Sequence, residues 1–208
     1  MSDKFLYLIW KHPDTRRNYT VGKLTRGLSY KFEYCEEYSE AKENGLPLID
    51  AFPKVIANHP DAELVIVGDG PELDNLKKQA AERNLTDRIR FIGAVYNPKE
   101  LGAYMNESTV YVLAGMGGLS INDAMTYGLP VVCSVCDSTE RDLVTDGVNG
   151  LFFRERDADS LSDKLNELFA SPGRCAEMGR ESERIIREKI NIETVSERYL
   201  QAFRTFMQ

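Results

Sequence analysis

Gly115, Gly117 and Gly118, with Ser120 behind them, precede a short helical pattern that closes at Gly128 and runs into a β-branched strand, in the stretch GMGGLSINDAMTYGLPVV of residues 115–132. A glycine-rich turn that opens a helix presents backbone N–H groups with no Cβ in the way. The helix start adds partial positive charge, so such a place suits a phosphate. Gly117, Gly118 and Leu119 would supply the amides, and Ser120 a cap or a hydroxyl donor. The same glycines would equally serve a strand that only needs to turn tightly. A second strand-end turn, VGDGPE at residues 67–72, brings Gly68 and Gly70 with Asp69, itself an ordinary turn residue.

Other reactive residue types lead less far. Cys133 and Cys136 form a C-x-x-C, but they follow the strand run PVV without a second cysteine pair or a nearby histidine. Two buried or strand-end thiols are expected there rather than a redox or metal site, since a redox pair needs a helix N-terminus beneath it. Neither His12 nor His59 falls in a nucleophile or metal spacing, which leaves hydrolase chemistry without support.

The elements that must position the glycine turns are legible from residue 39 onward. AELVIVGDG is a continuous apolar run ending in glycines, the pattern of a strand covered on both faces. Helical and strand patterns then alternate: PELDNLKKQAAERN, RIRFIG, PKELGAYMNES, TVYVLA, SINDAMTY, PVVCS, STERDLVTD and GLFF. Such alternation predicts a parallel sheet with helices on both faces and right-handed crossovers, in which ligands bind outside the carboxyl ends of the strands. Before it, residues 39–60 read as a helix broken near Gly45–Pro47 and bent at Pro53. Three further helical segments close the chain. The last, near residues 192–207, is amphipathic through Ile192, Val195, Tyr199, Phe203 and Phe206, and is expected to bury that face on the N-terminal element, on its own sheet or on a second copy.

Residues 1–38 follow a different grammar. FLYLIW, YTVGKL and YKFEYC are short aromatic and β-branched runs separated by turn-rich segments, and Tyr30, Phe32 and Tyr34 alternate with Lys31 and Glu33. These runs predict a three-stranded antiparallel meander packed beside the sheet, so the expected division is 1–38 and 39–208.

The chain has 208 residues, 42% of them apolar, enough for one good core plus a small element. A formal charge of -7 with scattered Lys and Arg argues against a nucleic-acid surface. No window of about 18 apolar residues suggests an integral membrane segment, and the N-terminus lacks the pattern of a signal peptide. Four scattered cysteines give no disulfide framework. A cytosolic location is expected, with a peripheral place at a membrane also open.

The runs HPDAELVIVGDGPELDNLKKQAAERNLTDRIRFIGAV, GGLSINDAMTYGLPVV and LVTDGVNGLFF, in this order over roughly residues 46–208, resemble the C-terminal, donor-binding domain of group 1 (family 4-like) glycosyltransferases of the GT-B fold. The resemblance implies a Rossmann-like domain that binds a nucleotide-diphospho-sugar. It also implies a complete enzyme that transfers the sugar with retention, without a cofactor and usually without a bound metal. It places the backbone near Ile92 on the base, the turn at Gly68 and Gly70 near the nucleotide, and Gly117 to Leu119 on the diphosphate and sugar. Two glutamates seven residues apart usually frame that last loop. Here the second position, the ribose ligand, is Asp123, and the first, facing the sugar, is Gly115. In VGKLTRG, Lys23 matches a diphosphate cation if a hairpin has been inserted into the family's first strand; the alternative adopted here is a separate β element. The implied partner is the nucleotide-sugar, with the acceptor-binding half expected outside this chain or supplied by a homo-oligomer. The competing reading is a non-catalytic nucleotide-sugar-binding or interaction module.

Overall fold

The computed structural model describes residues 4–9, 47–70, 72–114, 119–135 and 139–207. Six strands form one sheet: β1 (Lys4–Ile9), β2 (Glu63–Gly68), β3 (Ile89–Gly93), β4 (Val110–Leu113), β5 (Val131–Cys133) and β6 (Gly150–Phe152). Their order is β3-β2-β1-β4-β5-β6, and every neighbouring pair is parallel. Parallel neighbours need long crossovers, which the helices supply. They are α1 (Pro47–Asn58), α2 (Leu73–Glu82), α3 (Pro98–Glu107), α4 (Leu119–Thr126), α5 (Thr139–Leu143), α6 (Ala158–Phe169), α7 (Pro172–Lys189) and α8 (Ile192–Phe206).

β1 corrects the expected antiparallel meander. The run FLYLI lies at the centre of the sheet, with Lys4 to Ile9 in register with Glu63 to Gly68, and Phe5 to Tyr7 beside Val110 to Val112. The reason is visible in its composition. Unlike YKFEYC, it has no polar alternation, and an unbroken apolar run fits a strand covered on both faces. The other two runs of the expected meander, YTVGKL and YKFEYC, lie outside the described residues. The parallel strand beside ELVIVG is therefore FLYLI and not a run containing Lys23.

Strand alternation divides the core into two layers. Leu64 and Ile66 of β2, with Val110 and Val112 of β4, pack under α1, α2 and α6 through Phe52, Val55, Leu76, Leu161 and Leu165. Val65 and Val67, with Tyr111 and Leu113, face the opposite layer, where Met105, Ile121, Met125 and Ile185 of α3, α4 and α7 cover them. Helix starts are set locally. Asn97 accepts from Lys99 N ahead of Pro98, and Asp157 and Asn191 cap α6 and α8 by accepting from Ser160 N and Thr194 N. Pro53 sits inside α1 without ending it. Among the described residues, no helix is long and apolar enough to cross a membrane.

α8 forms where its periodicity predicts it, yet none of its residues is buried. Its apolar face does not pack on the sheet.

Candidate functional site

Parallel strands point their carboxyl ends to one edge, and the sheet order reverses direction between β1 and β4. That switch point opens a crevice, because the crossovers on its two sides leave in opposite directions. The residues that bound the glycine stretch in sequence stand there: β4 ends at Leu113, Ala114 follows, and α4 begins at Leu119. Gly115, Gly117 and Gly118 themselves lie outside the described residues, as do Lys23 and Cys136. Leu119 opens the helix, so the first free amides of α4 emerge at the crevice.

α4 is held by one face. Ile121, Ala124 and Met125 are fully buried against the sheet, which turns Asp123 to the exposed side, one turn after the helix start. Although Asp123 is exposed, surrounding protein partly desolvates its carboxyl group and holds it above the usual carboxylate range. The i-to-i+4 bond from Tyr127 N to the Asp123 carbonyl keeps the helix regular beneath it.

The other two strand ends carry the remaining predicted residues. β2 ends at Gly68, φ 143°, and β3 at Gly93, φ 83°. Val67 and Gly68 both pair with Gly93, an irregularity that the two glycines permit by adopting positive φ. Gly70 follows in the turn, where an added Cβ would meet nothing within 4 Å, so no internal packing demands glycine there. Ile92, half-buried on the α3/α4 layer, is the penultimate residue of β3. With strands about 4.8 Å apart, the ends of β3 and β4 lie roughly 14 Å apart along the edge. The described predicted residues thus share one edge of the sheet. Gly68, Gly70 and Ile92 stand to one side of the switch point; Leu119 and Asp123 stand at it.

Residues passed over in the sequence also reach this edge. Ser134 N donates to Leu113 O at 3.3 Å, so Ser134 stands beside Ala114 at the head of the glycine stretch. Its hydroxyl is buried and makes no hydrogen bond among the described residues, as is the case for Asn122 Oδ1 on α4. Glu140, in the first turn of α5, is fully buried. A serine, an asparagine and a glutamate carry no distinguishing spacing, so only the fold brings them into view.

The thiol and the terminal motif resolve as structural. Cys133 is buried, and burial, followed by the charge of Glu140, pushes its thiol up to about 12, so it is no thiolate nucleophile. In VTDGVNG, Asn149 Oδ1 accepts from Thr145 N at 2.7 Å and its Nδ2 donates to Leu143 O at 3.1 Å, while Asp146 Oδ1 accepts from Phe152 N at 2.9 Å. The motif closes the turn into β6. A cavity of about 250 Å³ between Ser108, Thr109, Gly128, Phe169, Pro172 and Cys175 lies at the opposite, amino edge of the sheet, away from these residues.

A parallel sheet of order 3-2-1-4-5-6, wrapped by helices on both faces with glycine turns at its carboxyl edge, defines the doubly wound, Rossmann-like class. Residues 40–185 match the family model described as glycosyl transferases group 1, and the chain belongs to that family. It is 33% identical over 159 residues to a phosphatidyl-myo-inositol mannosyltransferase of Mycolicibacterium smegmatis, a match that covers 74% of this chain and 40% of that protein. The chain spans less than half the length of the curated relatives it matches. Its fold is similar to that of a Staphylococcus aureus TarM variant solved with UDP, with a TM-score of 0.72, 20% identity, and 97% of this chain and 35% of that one covered. It is also similar to the C-terminal domain of LpcC, a group 1 glycosyl transferase family protein from Francisella tularensis. There the TM-score is 0.65 at 21% identity, covering 73% of this chain and 82% of that one.

Proposed function

We propose that this chain is the donor domain of a group 1 glycosyltransferase and binds a nucleotide-diphospho-sugar across the carboxyl edge of its sheet. The observation that carries the reading is that the end of β4 and the start of α4, which flank the glycine stretch in sequence, stand at the switch point, with α4 turning Asp123 outward. In this reading the amides of Gly117, Gly118 and Leu119 take the diphosphate, and Asp123 accepts the ribose hydroxyls. The backbone of Ile92 and the turn at Gly68 and Gly70 border the base; Lys23, the cation candidate by resemblance, is not on the strand beside ELVIVG and is left out of this set. The described members of that set share one edge of the sheet, and the UDP in the TarM structure supports a nucleotide ligand for the fold. The mannosyltransferase relative supports sugar transfer as the activity of the complete protein. In this reading the transfer proceeds with retention and without a bound metal, as the resemblance implies. The acceptor is taken by a half outside this chain.

A specific observation favours a second reading, binding without catalysis. Gly115 stands where an acid facing the sugar is expected, and a glycine has no group to offer a developing charge. Positioning is a large part of catalysis, and one domain alone forms half of a cleft. Titration calorimetry with UDP and GDP separates the possibilities. The wild-type chain should bind at least one of them, and Asp123→Ala should weaken that binding roughly tenfold to a hundredfold, the loss of about 1.5–3 kcal/mol of charge-assisted hydrogen bonding. Equal affinities would remove Asp123 from the ribose. Sugar transfer by this chain alone would overturn the non-catalytic reading.

A further inference from the structure

Tyr96 lies in the short loop that joins β3 to α3 at the carboxyl edge of the sheet, and its side chain is 79% exposed. Ahead of α8, the next large apolar side chains among the described residues are Val148 and Tyr127, at 42% and 39%. A single exposed tyrosine is ordinary on a protein surface, so exposure alone assigns it nothing. Its place does more. On one side of it Val95 packs against the layer formed by α3 and α4, and on the other Asn97 Oδ1 accepts from Lys99 N at 2.9 Å to cap α3. Between these two anchors the loop has one fixed course, and the Tyr96 ring is turned out from it into the solvent at the strand ends.

We infer that the Tyr96 ring stacks on the nucleobase of the bound nucleotide, an inference that rests on the donor-domain reading and adds to it the side chain that holds the base. The neighbouring strand ends are glycines. Val67 and Gly68 both pair with Gly93, and a Cβ added at Gly70 or at Gly93 would meet nothing within 4 Å. Bare backbone therefore borders open space at the foot of the loop that carries the ring. A flat group fits such a place, because it can lie close to backbone that has no side chains and offer its π face to the tyrosine. The base is the flat part of a nucleotide, and stacking on an aromatic ring tolerates any base, since each has a π face. Tyrosine is suited to this, because covering its ring fixes only two side-chain torsions. The end of β3 lies roughly 14 Å along the edge from the end of β4, so a base at Tyr96 leaves Leu119 and Asp123 to the diphosphate and the ribose.

Titration calorimetry of the full chain with UDP and with GDP tests the stack. Tyr96→Ala should weaken whichever nucleotide binds by roughly fivefold to a hundredfold, while Tyr96→Phe, which keeps the ring and drops the hydroxyl, should bind like wild type. Both variants should melt where wild type does, because the side chain is exposed. Tyr96→Trp places a reporter at the base: its fluorescence should fall as UDP or GDP is added, beyond any change in the wild-type chain with Trp10 alone, and pyrophosphate, which has no base, should leave it unchanged. A nucleotide that binds wild type and Tyr96→Ala equally overturns the stack and leaves the donor-domain reading standing. A Tyr96→Phe variant as weak as Tyr96→Ala overturns it too, as does a Tyr96→Trp variant whose fluorescence ignores the nucleotide or responds equally to pyrophosphate. A wild-type chain that binds neither nucleotide overturns the donor-domain reading and the stack with it.

Discussion

Gly179 makes a sharp test of how the second helical layer is assembled. It lies in the middle of α7, where a Cβ would fall well inside 3.0 Å of the Gly128 carbonyl oxygen, 3.3 Å from its carbonyl carbon and 3.6 Å from Pro130 Cδ. The obstructing atoms are backbone at the close of α4, held by the bonds from Gly128 N to Met125 O and from Leu129 N to Ala124 O, so they cannot swing aside like a side chain. Gly179→Ala must therefore push α7 off α4, loosening Met178 and Ile185, which are buried on either side of the contact, and stretching the bond from Ser182 Oγ to Asn149 O. Overpacking of this kind costs about 1–3 kcal/mol, against a gain in helix propensity of about 1 kcal/mol at most. The expected net loss is about 1–2 kcal/mol, or roughly 2–8 °C in melting temperature for a chain of this size. Gly173, near the start of the same helix, is the internal control, because a Cβ there meets nothing within 4 Å. Gly173→Ala should leave stability unchanged or raise it by about 0.5–1 kcal/mol. Urea denaturation followed by circular dichroism reads both changes. If Gly179→Ala is as stable as wild type, the close approach of α7 to α4 is wrong.

Two further outcomes follow from the same structure. Asn149→Ala should cost about 2–4 kcal/mol in urea titrations, because it leaves Thr145 N–H and the Leu143 carbonyl without their buried partner; a loss below about 1 kcal/mol would show that the turn does not depend on that side chain. Asp157 is held below the usual carboxylate range, first by the N–H of Ser160 and then by Arg154, so its capping contribution is present above the carboxyl group's ordinary range and fades as pH falls through the lowered value. Asp157→Ala should accordingly melt at a lower temperature than wild type at neutral pH, with the gap closing in strong acid. A gap independent of pH would remove the charge from the cap.

Most of the sheet could be read in advance because its signals are local. ELVIVG, VYVL and VVC are unbroken apolar runs bounded by glycine, proline or polar turns, and the helices between them carry their own caps, so alternation alone implied parallel strands and a functional carboxyl edge. Asp123 could be named only because the resemblance to the glycosyltransferase family places a ribose ligand at its position. What sequence could not settle was partnership. FLYLI and YKFEYC are both good strand formers, and their spacing suggested that they pair with each other. The tertiary structure instead places FLYLI between β2 and β4, and an unbroken apolar run suits the centre of a sheet better than a marginal hairpin. The same holds at the site. Ser134, Asn122 and Glu140 have no motif, and only the register of β4 with β5 and the docking of α4 and α5 bring them to the carboxyl edge of the sheet. It holds for α8 too, whose period of three and four residues dictates an apolar face in any context. Whether that face is covered depends on which surfaces lie near it in space, and spacing along one chain carries no information about that.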